Sequence, residues 1–105
     1  MIRNFLAYDL AIQLHRKVET IELKHHVKDQ LIRASQSVVL NLAEGSAKPT
    51  QKDKVRFYAI AFGSIREVQA VFELIQLKDA AAHDLADHIA ACLYRLTYTQ
   101  KRRPY

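Results

Sequence analysis

Apolar residues recur every three or four positions in the first half of the chain, the spacing that places them on one face of an α-helix. In a first segment, from about Asn4 to Glu22, they are Ala7, Leu10, Leu14, Val18 and Ile21. In a second, from about His26 to Glu44, they are Val27, Leu31, Ala34, Val38 and Leu42. Each segment predicts a helix with one buried face.

The second half of the chain predicts two more helices. A third begins after Thr50, a residue type favoured at the N-cap, with Asp53 three positions later as in a capping box, and continues to about Leu77. A fourth begins near Asp79 or Asp84 and runs to about Thr99. Its inward positions are predicted to be Leu85, Ile89, Cys92, Leu93 and Leu96.

The third helix is apolar on more than one face. One stripe consists of Tyr58, Phe62, Ile65, Val68, Phe72 and Ile75, and beside it lie Phe57, Ile60, Ala61 and Val71. A bundle helix normally needs a single stripe about 100° wide. The excess favours a second buried surface, most simply a contact between subunits, and the alternative is a helix covered by its neighbours within one chain.

The links between these segments are short, which favours antiparallel neighbours. Half of the residues are apolar, and there are only two glycines and two prolines, too few turn residues for a β-sandwich. The sequence therefore predicts an all-α protein, an antiparallel up-down-up-down four-helix bundle. We expect one domain over residues 1–100 and a basic tail over 101–105.

Polar residues at helical spacing mark one further face on each of the two central helices. Folding these helices back on each other predicts Arg33 beside Glu67, Ser37 beside Gly63 and Ser64, and Glu44 beside Arg56. Asn41 lies between Ser37 and Glu44 on the same face. We call this predicted contact between the two helices the polar seam. Its members are Arg33, Ser37, Asn41, Glu44, Gly63, Ser64 and Glu67.

The stretch NLAEGSAKPT at 41–50 fits a phosphate loop, a catalytic pair or a helix end. We predict a helix end, with Gly45 at the left-handed position after the last turn and Pro49 preventing continuation. A phosphate loop would follow a strand, and none is predicted. In mid-helix, Gly63 predicts a close crossing of another backbone.

Catalytic and metal chemistry find little support in the sequence. A glutamate beside an arginine stays ionised and is a poor general acid, and no nucleophile lies next to a base. His83, Asp84 and His88 have spacing that a metal could use, but a solvated face is the more common outcome. We expect no enzyme activity, no cofactor and no metal, and we interpret Cys92 as an inert core thiol.

Lysine and arginine outnumber aspartate and glutamate by 16 to 11, giving a net charge of +5. The basic residues cluster at Lys48, Lys52, Lys54 and Arg56 and again at Lys101, Arg102 and Arg103. In an up-down bundle the two clusters converge at one end, where Tyr98 and Tyr105 could stack on bases. The pattern predicts either a solvated surface or a nucleic-acid site at these seven residues.

The sequence has no run of about 20 apolar residues that would span a membrane. A single cysteine, Cys92, fits a reducing compartment. We therefore expect a cytoplasmic protein that does not bind a membrane.

Two runs, RASQSVVLNLAEG at 33–45 and FYAIAFGSIRE at 57–67, resemble the four-helix-bundle family encoded in intervening sequences of bacterial 23S ribosomal RNA genes. The resemblance extends over about 5–98. It implies a homo-oligomer, a ring-shaped pentamer, with no assigned biochemical activity. A related branch, the accessory proteins of diversity-generating retroelements, suggests nucleic acid as partner, or a scaffold for a reverse transcriptase as the alternative.

Overall fold

A computed structural model describes residues 5–99 of the chain, and this part consists of four α-helices. They are α1 (Leu6–Thr20), α2 (His25–Ser46), α3 (Gln51–Leu74) and α4 (Ala80–Tyr98). No strand occurs within 5–99, so the all-α prediction is confirmed. The predicted start of the first helix, Asn4, lies outside the described residues.

Contacts between side chains show how the helices are arranged. Gln69 of α3 donates to Asp87 of α4 over 2.8 Å, whereas Phe62, seven residues earlier, contacts Tyr94, seven residues later. The helices α3 and α4 are therefore antiparallel. Each helix packs against two others, in the circuit α1–α2–α3–α4–α1. This is the arrangement of a four-helix bundle.

The core consists of the apolar stripes that the sequence predicts, together with several small residues. Leu14, Leu31, Leu42 and Ile65 are completely buried and lie on three different helices. Some predicted inward positions are only half-buried at the edge of this core: Ile21, Val27, Leu85 and Leu96. Burial of this continuous cluster is the main force that holds the helices together.

The second apolar face of α3 is largely covered within the chain. Ala61 and Val71 are buried, and Phe57 is half-buried, because α3 has α2 on one side and α4 on the other. Two large apolar residues of α3 stay outside this cover: Ile60 is 52% exposed and Leu74 is 82% exposed. Most of the excess apolar character therefore serves the bundle core, and two separate exposed residues remain on the outer side of α3.

The predicted end of α2 is confirmed to within two residues, but the predicted left-handed cap at Gly45 is absent. The helix continues to Ser46 and no glycine has a positive φ. Gly45 is instead buried where α2 crosses α3, and an added Cβ would lie 2.7 Å from Cε1 of Tyr58 and 3.1 Å from Cβ of Phe57. The absence of a side chain lets the helices approach here.

Gly63 does not make the predicted close crossing. The residue is exposed, and a Cβ built on it would meet nothing within 4 Å. The prediction was wrong because a glycine in a helix does not reveal from sequence which face it occupies. On the observed wheel of α3, position 63 points away from both neighbouring helices.

A left-handed helix cap does occur, but at the end of α3 and without glycine. Gln76 has a φ of 54°, the N–H of Leu77 donates to the carbonyl of Phe72, and the N–H of Gln76 donates to the carbonyl of Glu73. These two bonds are the pair found in a Schellman motif. They end α3 at Leu74, three residues earlier than the sequence predicts.

The predicted N-cap of α3 is present, and α4 has an N-cap at one of its two predicted starts. Thr50 Oγ1 accepts the N–H of Asp53 over 3.1 Å, and Asp79 Oδ1 accepts the N–H of Ala82 over 3.0 Å. The second bond decides between the two predicted starts of the fourth helix in favour of Asp79. Capping of this kind satisfies N–H groups that have no partner in the first helical turn.

Candidate nucleic-acid interface

The centre of the polar seam is formed where α2 and α3 face each other. Ser37 Oγ lies 2.8 Å from Ser64 Oγ, as the predicted register requires. Asn41 Nδ2 donates to the carbonyl of Ser37 over 2.9 Å and lies 3.2 Å from its hydroxyl. These half-buried polar groups are hydrogen-bond partners of one another, so the centre of the polar seam fixes the position of α2 relative to α3.

The two ion pairs predicted at the ends of the seam are not formed. Glu67 accepts a hydrogen bond from Gln30 over 3.3 Å, and exposed Arg33 makes no ion pair with any residue of the described part. Glu44 pairs with Lys48 at 3.1 Å. Arg56 pairs with Asp53 at 3.7 Å.

Local partners replace the predicted ones for a physical reason. Glu44 and Lys48 are four residues apart, and Asp53 and Arg56 are three residues apart. The two members of each pair are therefore about one helical turn from each other. Partners held close by local geometry lose less side-chain entropy than partners on two helices. The carboxylate of Glu44, once a candidate for catalysis, is part of such a local pair.

Two of the four basic residues near the 47–50 turn neutralise the end of α2. Lys54 Nζ donates to the carbonyl of Ser46 over 3.1 Å, one of the carbonyls left free where α2 ends. Lys48 Nζ pairs with Glu44 and lies 5.0 Å from the centroid of the Phe57 ring. Both lysines therefore help to fix the turn between α2 and α3.

The other two basic residues point outward. Lys52 is exposed, and the side chain of Arg56 is 70% exposed, with its Cζ 6.0 Å from the Phe57 ring centroid. Both lie in the first two turns of α3, where the positive end of the helix dipole adds to their charge. The structure thus brings the four predicted residues together and leaves Lys52 and Arg56 most accessible.

The predicted second basic cluster, Lys101 to Arg103, lies outside the described residues, as does Tyr105. The structure does describe where α4 ends. Tyr98, its last residue, contacts Phe62 of α3 with 5.6 Å between ring centroids. The chain therefore leaves α4 in the half of the bundle that contains the N-terminus of α3.

Two histidines near the helix starts, His83 and His25, have structural partners. The Nε2–H of His83 donates to the carbonyl of Leu77 over 2.9 Å, and its ring meets Phe72 edge-on at 5.4 Å. His25 lies 3.2 Å from Asp29, one turn on in α2. Within residues 5–99, no group of three or more histidine, cysteine, aspartate or glutamate side chains could hold a metal ion.

Two side chains have shifted pKa values. The N–H of Ala82 and the ammonium of Lys17 at 3.3 Å stabilise the charged form of Asp79 and lower the pKa of its carboxyl from the ordinary 3.8. Burial raises the pKa of the Tyr58 hydroxyl from 10.0. Neither shift brings a group near neutral pH, so neither side chain is prepared for proton transfer there.

One surface feature was not predicted from the sequence. Phe62, Tyr94 and Tyr98 form a cluster of three rings, which we call the aromatic cluster, on the outer side of the α3–α4 contact. The spacing of Tyr94 and Tyr98, four residues apart, was the signal available. It was missed because Phe62 fits the core stripe of α3 equally well.

The fold and the candidate site define a helical-bundle protein whose accessible chemistry is a basic surface at one end. A family model describes such a chain: the 23S rRNA-intervening sequence protein model matches residues 5–100. The chain belongs to this family. No curated protein sequence and no solved structure shows a significant match to the chain. No helix within 5–99 has the length and apolar character needed to cross a membrane.

Proposed function

We propose that this protein is a non-enzymatic homo-oligomer that binds RNA or another nucleic acid through the basic end of the bundle. The contacts would come from Lys52 and Arg56, supported by Lys48 and Lys54. The predicted tail cluster, Lys101, Arg102 and Arg103, would add to them. Binding would be mainly to phosphate, with weak sequence specificity and a steep dependence on salt.

The observation that supports this proposal is the separation of charge along the bundle. Of eleven acidic residues, only three, Asp9, Glu44 and Asp53, lie in the half nearest the 47–50 turn. Within residues 5–99, that half holds five basic residues: Lys48, Lys52, Lys54, Arg56 and Arg95. The opposite half holds eight acidic and seven basic residues over the same range. A polyanion would therefore approach the first half.

A binding titration with single-stranded RNA at about 50 and about 200 mM salt tests the proposal. The variant Lys52→Ala/Arg56→Ala should weaken binding and reduce the slope of log affinity against log salt by about 1.4, about 0.7 for each lost phosphate contact with a single strand. Lys24→Ala/Lys78→Ala removes the same charge from exposed positions at the opposite end and serves as the matched control. Binding that is absent, indifferent to salt, or equally weakened by both variants would refute the proposal.

Assembly is the second part of the proposal and rests on the outer face of α3. Exposed Ile60 and Leu74 lie on this face, where neither neighbouring helix covers them. Large apolar side chains of this kind are typical of subunit contacts when they share one surface. The family resemblance favours a pentamer, and a ring of five copies would multiply the charge of +5 fivefold.

The same apolar residues support one alternative function, a scaffold or adaptor for another protein such as a reverse transcriptase. Leu74, 82% exposed at the end of α3 far from the basic turn, is the residue that favours it. A purified candidate partner that binds after nuclease treatment, and loses binding in Leu74→Gln, would favour the scaffold over the nucleic-acid proposal.

A further inference from the structure

We propose that the aromatic cluster stacks unpaired nucleobases, so that the ligand of this protein is single-stranded RNA or an unpaired loop. This inference rests on the nucleic-acid binding proposed above and specifies the class of ligand. It is carried by three observations: the geometry of the three rings, their exposure, and the charge around them.

The rings form a continuous surface across α3 and α4. Centroid distances are 6.0 Å for Phe62–Tyr94, 5.6 Å for Phe62–Tyr98 and 5.4 Å for Tyr94–Tyr98. The ring planes are inclined by 56°, 81° and 47° in the same order, the tilted geometry that aromatic side chains prefer. Contact with half-buried Phe62 fixes both tyrosines against the bundle without covering them.

Exposure leaves the tyrosine rings available. Tyr94 is 50% exposed and Tyr98 is 57% exposed. Tyrosine loses little conformational entropy on binding, because only two side-chain torsions must be fixed. A ring held in place by a neighbour and open on one side can accept a base by stacking, which is worth about 1–3 kcal/mol per base.

The charge around the cluster favours a polyanion. No acidic residue occurs in 54–66 of α3 or in 88–99 of α4, whereas Lys54, Arg56, Arg66 and Arg95 do. Arg66 follows Phe62 by one turn on the same side of α3. Exposed Arg95 precedes Tyr98 by three residues, about one turn of α4.

Exposed rings with cations one helical turn away can engage the bases and the phosphates of a single strand together. In a duplex the bases are paired and stacked on one another, so their faces are not available to protein rings. The cluster therefore predicts a preference for unpaired RNA, in addition to the phosphate binding that both forms share.

The test compares two double variants on two probes. The probes are an oligouridine of about 12 nucleotides and an RNA duplex of the same length. Tyr94→Ala/Tyr98→Ala should lower affinity for oligouridine by about tenfold or more and leave duplex affinity within about twofold. Tyr94→Phe/Tyr98→Phe keeps the rings and should keep the oligouridine affinity. Circular dichroism confirms that each variant is folded.

Fluorescence gives an independent readout, because the chain has no tryptophan and its emission comes from tyrosine. Oligouridine should quench this emission in the wild type and in Lys52→Ala/Arg56→Ala at saturating RNA. Quenching should be lost in Tyr94→Phe/Tyr98→Phe even though that variant still binds.

The contrary outcomes separate the two proposals. Equal losses on both probes, or no loss on either, would refute stacking while phosphate binding stands. A wild type that binds neither probe would refute the proposed function itself. If Tyr94→Ala/Tyr98→Ala changes the mass measured by light scattering and not the oligouridine affinity, the cluster is a contact between copies, and stacking is refuted.

Discussion

A methyl group at position 45 would lie 2.7 Å from Cε1 of Tyr58, whereas one at position 63 would meet open space. Tyr58 is buried and cannot turn aside without disturbing the core around it. Gly63 lies in the interior of α3 and Gly45 in the last turn of α2, and alanine is intrinsically favoured over glycine at helical positions by up to about 0.5–1 kcal/mol. The packing around each glycine therefore decides whether its replacement by alanine raises or lowers the free energy of unfolding.

We predict opposite effects for the two alanine variants. Gly63→Ala should raise the free energy of unfolding by about 0.5–1 kcal/mol, because only the helix propensity changes. Gly45→Ala should lower it by about 1 kcal/mol, because overpacking costs about 1–3 kcal/mol and outweighs the same gain. Urea denaturation at one fixed low protein concentration measures both, and a shift of both variants in one direction would contradict the assignment.

These two glycines also show how far the sequence can be interpreted. Hydrophobic periodicity predicted four helices and most of the core, because burial of one face repeats over many residues and single errors cancel. The role of one glycine depends on which face of a helix meets a neighbour. A single residue has no repeating pattern, so an error in assigning its face is not corrected by other residues. The sequence therefore predicted the end of α2 to within two residues, but it placed the tight crossing at Gly63 instead of Gly45 and the left-handed cap at Gly45 instead of Gln76.

The candidate site was predictable to a similar extent. The clustering of Lys48, Lys52, Lys54 and Arg56 follows from their closeness in sequence, and the structure adds that two of them are engaged by α2. The aromatic cluster was not predictable, because it needs the register of α3 against α4. That register depends on core side chains such as Ile65 and Ile89, which are apolar in any register.

At the scale of the helices, ends are fixed by specific bonds more than by composition. Asp79 illustrates this, because it caps α4 through Ala82 and holds α1 through Lys17. The first contact satisfies a free N–H, and the second joins the C-terminal turn of one helix to the start of another. Both favour the ionised carboxylate, which is why the pKa of Asp79 is lowered.

We predict that this aspartate makes stability depend on pH at the acid end. A carboxyl with a lower pKa in the folded state stabilises the fold fully above its unfolded-state value, here near 3.8, and loses this effect as the pH falls through the folded-state value. The wild type should therefore melt at a higher temperature than Asp79→Asn at neutral pH, and the difference should shrink below about pH 3.8.

Lys17→Met separates the two causes of the shift. This variant removes the cation and keeps the hydrogen bond from Ala82, the larger cause, so part of the pH dependence should remain. Melting curves at several pH values for the three proteins measure this. A constant difference between wild type and Asp79→Asn across that range would show that the charge of Asp79 contributes nothing.

At the scale of the whole molecule, the proposed binding rests on the distribution of charge and the proposed assembly on the distribution of exposed apolar residues. The net positive charge of residues 5–99 lies at one end of a bundle 51 Å long, because eight of the eleven acidic residues are in the other half, and the exposed apolar residues of α3 lie along its side. Copies joined side by side through α3 in a closed ring would all present their basic ends in the same direction. Each copy would then add its phosphate contacts to a single surface.

Light scattering on the intact protein tests this arrangement. We expect a mass several times the 12.1 kDa of one chain, and a fall toward that value in Ile60→Gln/Leu74→Gln, which removes apolar surface and leaves the charge unchanged. Leu6→Gln, at a leucine on α1 that is 54% exposed, is the matched control and should keep the mass. A wild-type monomer at every concentration, or a double variant of unchanged mass, would exclude assembly through this face.

The dissociated variant also tests how assembly and binding are linked. Each phosphate contact with a single strand contributes about 0.7 to the slope of log affinity against log salt. A ring that presents several basic ends to one RNA should show a slope several times that of a single copy, although Lys52 and Arg56 are intact in both. The Ile60→Gln/Leu74→Gln variant should therefore bind with a shallower slope than the wild type. Equal slopes would mean that each bundle binds RNA by itself, and that the ring serves another purpose.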